Sequence, residues 1–489
     1  MIALDRYRAL LPLPGPGASD VHEIRLTALD HLGVPVWCAA QWQGAHLQGG
    51  QGYGTTDDLA RTSAFGEMAE HVALEAALPA MRRTRASYAD LARRGMPALD
   101  PLRERLPVTT DYAPERVLDW VEARRYAPGT PGDGEPVLVP VESVAVSGAD
   151  VPLGPLFTPI TNGLGAGDTF ARALAHGLLE LAQRDGNAVS YRALDQGVVV
   201  DLDRVERPDA RALLDRFEAE GIALQVKLAD SSLGMANLYV VGHERRIEDA
   251  PHPIMLTGCG EAAHPDRETA LVKALCEFAS SRVRKRFQHG PLDGMEHLAP
   301  AYFAEARRRH AGAGGEGSGD EEPRATGAMR RWLNLSHADL FAEVAPVFAD
   351  RRRVAFSSLP TVEAATPEAV LAAAYERLRA AGLDVLFVPL AAGEAGVHAV
   401  KAIVPGLEVE TMTYDRIGPR NLRRLAERGA DFAGSGPPPE GAFRVPLTAD
   451  DEAALGGPHW FHPARAAAAV GGLYALYREP GRHVIALGG

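Results

Sequence analysis

At 489 residues, with 46% apolar and 24% charged side chains, the chain can bury a sizeable core, and it holds no apolar run near the roughly 18 residues of a membrane span. A net charge of −13 excludes a global positive field for nucleic acid, so any phosphate must be held locally by main-chain amides, a few basic side chains or a metal. Three scattered cysteines exclude a disulfide framework, and the amino end lacks a secretory signal pattern, which together point to a reducing, cytoplasmic setting.

In chain order, HEIRLTALDHLGVPVWCAA (22–40) alternates polar with apolar residues and predicts a strand after a short turn. VLVPVESVAV (137–146), VSYRALDQGVVVDLD (189–203) and IALQVKLAD (222–230) predict further strands, with helices rich in alanine and arginine between them. AGAGGEGSGDEEPRATGA (311–328) has no apolar periodicity and is expected to be a flexible loop or join between 1–310 and 329–489. GTPGDGE (129–135) and GSGPPPEG (434–441) are shorter interruptions of the same kind. Beyond them come a strand in RRVAFSSLP, a helix over 366–382, a strand in LDVLFVPLA and another in VHAVKAIVPGLEVE. This alternation predicts an α+β or α/β layered fold with mixed sheets packed by helices.

Three predicted helices share a spacing: Ala60, Ala64, Glu67; Ala173, Gly177, Glu180; Ala270, Ala274, Glu277. Each reads small residue, small residue four later, carboxylate three after that, which puts all of them on one helical face. The small residues permit close approach, and the glutamate stands at the end of the contact. Upstream lie GGQGYGTT, NGLGAGDT and TGCGEAAHPD, read as glycine turns whose amides, with the helix dipole, favour an anion. Ordinary helix starts are the competing reading, with Asp57, Thr169 and Asp266 as cap candidates. Carboxylates converging from separate helices repel one another unless cations intervene, and magnesium with a nucleoside triphosphate is the usual occupant. Cys259, His264 and GPHWFHP (457–463) show no catalytic or zinc spacing and are read as structural.

Together these segments resemble the YcaO family, whose members bind ATP and magnesium and activate peptide backbone amides. LTALDHLGVPVWCA resembles its opening strand, SAFGEMAEH its S-x-x-x-E-x-x-E-R helix, and TNGLGAGDTFARALAHGLLELAQRD its Asn-Gly loop and E-x-x-E-R-D helix. GEAAHPDRETALVKALCEFASSR and AIVPGLE resemble two later family segments. The resemblance implies a YcaO-type fold around a central nucleotide cavity, with Glu67, Glu70 and Glu180 holding magnesium. It places Ser63, Asp168, Arg172, Gln183 and Arg184 around ATP, and Glu277 and Arg282 at the chemistry. His71, Asp168, Ala171, Arg172, Gln183 and Ser280 depart from the family pattern, and Tyr53 stands at or near an expected lysine.

The activity implied is ATP- and magnesium-dependent activation of a backbone amide in a ribosomally made precursor peptide, giving an azoline or amidine by cyclodehydration. Thioamide formation with a separate partner protein and a non-catalytic peptide-binding or partner-stabilising subunit are the alternatives. The partners implied are the precursor peptide and a separate leader-binding or sulfur-delivery protein, with room for a homodimer, and neither nucleic acid nor membrane. A fused leader-binding domain is not expected, because the first family-like strand begins within the first forty residues.

Overall fold

The computed structural model describes residues 4–10, 18–43, 46–129, 134–188, 195–312 and 322–487. Three long helices organise it: α1 (Asp57–Ala77), α2 (Phe170–Asn187) and α3 (Arg267–His289). A side chain accepting from the first-turn amides starts each one: Thr56 from Leu59 N (3.2 Å), Thr169 from Arg172 N (3.1 Å) and Asp266 from Glu268 N (3.1 Å). Asp57, expected as a cap, lies one residue inside α1, where it accepts from Arg25 and from Trp37 Nε1.

Strands β1 (His22–Arg25), β2 (Val36–Gln43) and β3 (His46–Tyr53) form a three-stranded antiparallel sheet in that order. A six-stranded sheet is built from β4 (Thr84–Ser87), β5 (Val117–Arg125), β6 (Pro136–Pro140), β7 (Leu164–Gly167), β13 (Leu386–Ala392) and β14 (His398–Ile403). Its order is β4-β5-β13-β14-β7, with β6 on β5. The five-stranded sheet runs β11-β10-β9-β8-β12, from β8 (Val198–Asp201), β9 (Ile222–Asp230), β10 (Ala236–Glu244), β11 (Thr257–His264) and β12 (Arg352–Ala355). Strands from beyond residue 329 therefore complete sheets begun before residue 310: β12 pairs parallel with β8, and β14 pairs antiparallel with β7. Among the described residues no helix is long and apolar enough to cross a membrane.

The glycine segments upstream of the helices are strands rather than anion-binding turns. GGQGY ends β3, LGAG is β7 and TGCGEAAH is β11, and each is an edge strand of a different sheet. Their glycines let the strand lie directly on the helix that follows. A Cβ added at Gly52 would stand 2.1 Å from Ala60 O, at Gly165 2.1 Å from Ala173 O, and at Gly260 1.9 Å from Ala274 O. The small residues of the repeated spacing are the other half of this contact, and Ala60, Ala173, Ala270 and Ala274 are fully buried in it.

Each helix also reaches the glycine strand of the next unit: α1 packs on β7, α2 on β11 and α3 on β3. Three strand–helix units thus close into a ring. Elsewhere, VLVPVESVAV leaves strand geometry at Val141, where a short 3-10 turn begins. In 189–203 only Val198–Asp201 is strand, and 189–194 lie outside the described residues. The expected loop over 311–328 is helical at both margins, ending the helix Pro300–Gly312 and beginning Pro323–Leu333, with 313–321 outside the described residues. Pro323 at the first helical position explains that start, since its missing N–H is not needed there.

Candidate active site

The ring aims one glutamate from each helix at its own glycine strand, with the same bond each time. Glu67 Oε2 accepts from Gln51 N on β3 (2.8 Å), and Glu277 Oε2 accepts from Glu261 N on β11 (2.6 Å). Glu180 Oε2 accepts from Gly163 N (3.2 Å), where φ of +89° begins the turn into β7. A main-chain amide therefore fixes the orientation of each carboxylate, in the strand for Glu67 and Glu277 and in the turn just before β7 for Glu180. Cross-links bind each helix to the next strand in the ring: Glu70 Oε1 accepts from Ala166 N (3.0 Å), Gln183 Nε2 donates to Glu261 Oε2 (3.4 Å), and Gln288 Nε2 donates to Gln51 Oε1 (3.4 Å).

Electrostatics shows that these acids share one space. Burial raises the Glu70 carboxyl well above its usual range, and Glu180 and Glu67 push it further, against the Ala166 amide and Lys401. Burial also raises Glu67, opposed by the Gln51 amide, Arg482 and Arg284, and reinforced by Glu180. Glu67 nonetheless remains exposed, and Glu180, Arg184 and Glu277 are half-buried. These groups are thus partly desolvated by neighbouring protein atoms yet keep access to solvent, unlike side chains of a closed core.

Cations stand among the acids. Arg184 Nη2 lies 3.6 Å from Glu180, and its Nη1 lies 3.7 Å from Glu261 and 3.4 Å from Glu410. Burial works against the Arg184 charge, and the fields of Glu410, Glu180 and Glu277 more than restore it. Burial draws the Lys401 ammonium down to about 8, opposed by Glu180, Glu104 and Glu70, while its Nζ donates to Ile160 O (2.6 Å). Lys273 is lowered by burial and supported by Glu277 and Glu180. His176 Nε2 lies 3.7 Å from Glu70, and desolvation by its neighbours and the charge of Lys273 lower the ring, although its edge stays open to solvent.

Among the described residues, no three His, Cys, Asp or Glu side chains form a ready-made metal cage. Magnesium needs none when it arrives with a nucleotide, because it keeps waters and phosphate oxygens and takes only one or two carboxylates. Burial, with the added field of Glu180, disfavours the charged forms of Glu67 and Glu70, which is the property a divalent cation would relieve, so the donor set fits the ion.

A family model described as YcaO cyclodehydratase, ATP- and Mg2+-binding, matches residues 51–408. The chain belongs to the YcaO family. It is therefore an ATP-dependent peptide-modifying enzyme, with ATP and magnesium as its cofactors. An uncharacterized protein of Methanothermobacter thermautotrophicus is 28% identical over 414 residues, covering 83% of this chain and 93% of that protein. An uncharacterized protein in the tfuA 3' region of Rhizobium leguminosarum bv. trifolii is 25% identical over 83% of this chain and 87% of its own length.

Among solved structures, the YcaO from Methanopyrus kandleri bound with AMPPCP and Mg2+ shares the fold at a TM-score of 0.53 and 21% identity, over 84% of this chain and 89% of that one. A heterocyclase in complex with substrate and cofactor matches at a TM-score of 0.60 and 16% identity, over 87% of this chain and 54% of that one, so the chain spans about half of its length.

Of the residues singled out from sequence, the ring brings together Glu67, Glu70, Glu180, Glu277, Gln183 and Arg184. Ser63 is exposed on α1, with its main chain beneath Gly52. Asp168 and Arg172 form an ion pair at 2.7 Å at the start of α2, on the side where both act on Tyr7 beside Glu70. Tyr53 is held neutral by burial and by Glu277 and Glu67. Arg282 is placed elsewhere: it is fully buried, bonded through Nε and Nη2 to Asp30 (2.8 and 3.2 Å) and through Nη2 to Glu244. A side chain held on that side of α3 cannot contact phosphate in the ring.

The structure adds Glu261, Glu410, Lys273, Lys401, Arg284 and Arg482 to the site. Lys401 carried a readable signal, a charge inside the apolar strand HAVKAIV. The others sit at positions whose facing depends on the ring, which no local pattern encodes.

Proposed function

We propose that this enzyme activates a backbone amide of a ribosomally made precursor peptide and yields an azoline or amidine by cyclodehydration. The observation that carries the reading is the closed ring of carboxylates from three helices, each oriented by a main-chain amide in or just before its own glycine strand. Glu67, Glu70 and Glu180 would hold magnesium, and Arg184 would meet the phosphates. Magnesium-bound ATP supplies the phosphoryl group that turns the amide oxygen into a leaving group.

The chain's own part is positioning and charge. Glu277, held by Glu261 N, would accept a proton from the attacking nucleophile. Lys401 and Lys273 offset negative charge beside the acids, and Asp168 keeps Arg172 at the mouth of α2.

A second reading is thioamide formation, which needs a separate sulfur-delivering partner; the Rhizobium relative is named for lying in the 3' region of another gene, tfuA, whose product is a candidate for such a partner. Mass spectrometry of a candidate precursor incubated with enzyme and ATP separates the two. Loss of water is the expected result, and exchange of oxygen for sulfur in the presence of a partner would move the assignment to thioamidation. An unmodified peptide with ATP consumed only in the presence of small metabolites would overturn the peptide assignment.

A further inference from the structure

A separate polar cavity of about 60 Å3 abuts the ring beside Glu180. It begins one residue from the ring along two segments: Leu181 follows Glu180 in α2, and Asn162 precedes Gly163, whose amide holds the Glu180 carboxylate. Lys401 of β14 belongs to both spaces, since its ammonium lies in the fields of Glu180 and Glu70 and also in that of Glu104, which lines the cavity. A buried water needs only about 10–15 Å3, so the space has room for a larger guest.

Arg416 is the donor that the fold leaves unused there. It is 3% exposed, its Nε donates to Arg105 O and its Nη2 to Glu104 O, and its guanidinium carbon lies 4.3 Å from the centroid of the Phe157 ring. Two edges and one face of the guanidinium are thereby fixed. Nη1 is left without a hydrogen-bonding partner among the described residues. A buried N–H without an acceptor is costly, and a bound carbonyl oxygen would relieve it.

The charges on the walls decide what carries that oxygen. Three cations, Arg103, Lys401 and Arg416, stand with three carboxyl groups, Glu104, Glu142 and Glu408, so the lining has no net charge to hold a phosphate or a carboxylate. Two of these acids are committed to main-chain amides: Glu142 Oε1 accepts from Leu156 N (3.1 Å), and Glu408 accepts from Gly418 N (2.8 Å) and Arg420 N (3.0 Å). Glu104, beside Ser143, is the acid left to accept an N–H from a guest. Phe157, Ile160, Leu181, Val404 and Leu407 make the rest of the wall apolar. A donor, an acceptor and an aliphatic wall complement one residue of a polypeptide with a small uncharged side chain.

We propose that this cavity receives one residue of the precursor peptide beside the amide to be activated, binding its main chain through Arg416 and Glu104 and admitting only a small aliphatic side chain. This rests on the reading of the ring as the magnesium–nucleotide site, which the peptide must meet beside Glu180. The test is a ligand-observed NMR titration of the full chain, with and without magnesium and AMPPCP, using N-acetylvaline N-methylamide, a single residue between two peptide bonds. The corresponding tryptophan and aspartate compounds and inorganic phosphate are the comparison ligands. Ser143→Leu, which fills the cavity, and Glu104→Gln, which keeps its shape, are measured beside wild type, together with the thermal midpoint and the magnesium–AMPPCP affinity of each protein.

The valine compound should bind wild type at least about tenfold more tightly than the other three ligands. Its binding should be lost in Ser143→Leu and weakened about fivefold in Glu104→Gln, while magnesium–AMPPCP affinity stays within about twofold of wild type. Tighter binding of phosphate or of the aspartate compound overturns the proposal in favour of an anion site, and equal binding of the tryptophan compound overturns the size selection. Absence of binding, or unchanged valine affinity in a folded Ser143→Leu, overturns it as well. If Ser143→Leu does not fold, unchanged affinity in Glu104→Gln has the same force. Competition between the valine compound and AMPPCP would assign the cavity to the nucleotide and overturn the proposal. All these outcomes leave the ring reading standing as long as AMPPCP binds, whereas a wild type that binds no AMPPCP with magnesium overturns the ring reading and this inference with it.

Discussion

Glu180 carries more of the assignment than any other side chain, because it acts on Glu67, Glu70, Lys273, Lys401 and Arg184 together. Glu180→Ala should reduce magnesium–nucleotide affinity by about a hundredfold, roughly the 3 kcal/mol of a lost charge-assisted contact, with the ligand-free fold retained. Calorimetry checks it, and wild-type affinity in the variant would remove Glu180 from the site. The three ring glutamates were legible because their spacing from two small residues repeats three times. Arg282 was not, since helix position alone cannot reveal that Asp30 and Glu244 surround its guanidinium. Glu261 was hidden for a related reason: its partner Gln183 is 78 positions away in the chain, and only the α2–β11 contact brings them together.

At the scale of elements, the glycine strands misled local reasoning because glycine is depleted from strands and common in turns. Here the requirement is close approach, with a main-chain carbonyl of the helix where a Cβ would stand. Gly260→Ala should therefore destabilise the fold by about 3 kcal/mol, as overpacking against a rigid backbone does. Gly327→Ala, in a helix with open space around its Cα, should stabilise by about 1 kcal/mol. Urea unfolding of both variants checks the contrast, and equal effects would mean the strand is free to lift from α3. The helices over 366–382 and the strands in 222–230, 383–391 and 397–410 were readable from ordinary periodicity.

The carboxy-terminal segment docks on α3 through Glu479, which accepts from Arg284 (2.8 Å) and pairs with His289 (3.0 Å). His483 sits beside it, buried, with Nε2 2.9 Å from Tyr302 OH. Burial, with Arg482 and His289, lowers this imidazole to about 3, against roughly 6.5 in an unfolded chain. Between those values the unfolded chain binds a proton that the native one does not. The stability His483 contributes is thus present above about pH 6.5 and is lost as pH falls toward 3. His483→Gln should lose less stability than wild type between about pH 7 and 5, as measured by urea unfolding, and an identical loss would show that His483 is already charged in the native state.

Over the whole molecule, the site exists because three edge strands from three sheets meet, each backed by a helix that also touches the next strand. Layered α+β architecture was legible from alternating elements, but ring closure depends on contacts between residues 96 and 237 positions apart, Glu70 Oε1 with Ala166 N one way round and Gln288 with Gln51 another. The central claim is that acids from separate helices serve one cation, and a double-mutant cycle on magnesium–nucleotide affinity with Glu67→Gln and Glu180→Gln measures it. A shared cation predicts a coupling energy of about 1 kcal/mol or more between the two substitutions, whereas additivity within about 0.5 kcal/mol would place the glutamates in independent sites and contradict the account.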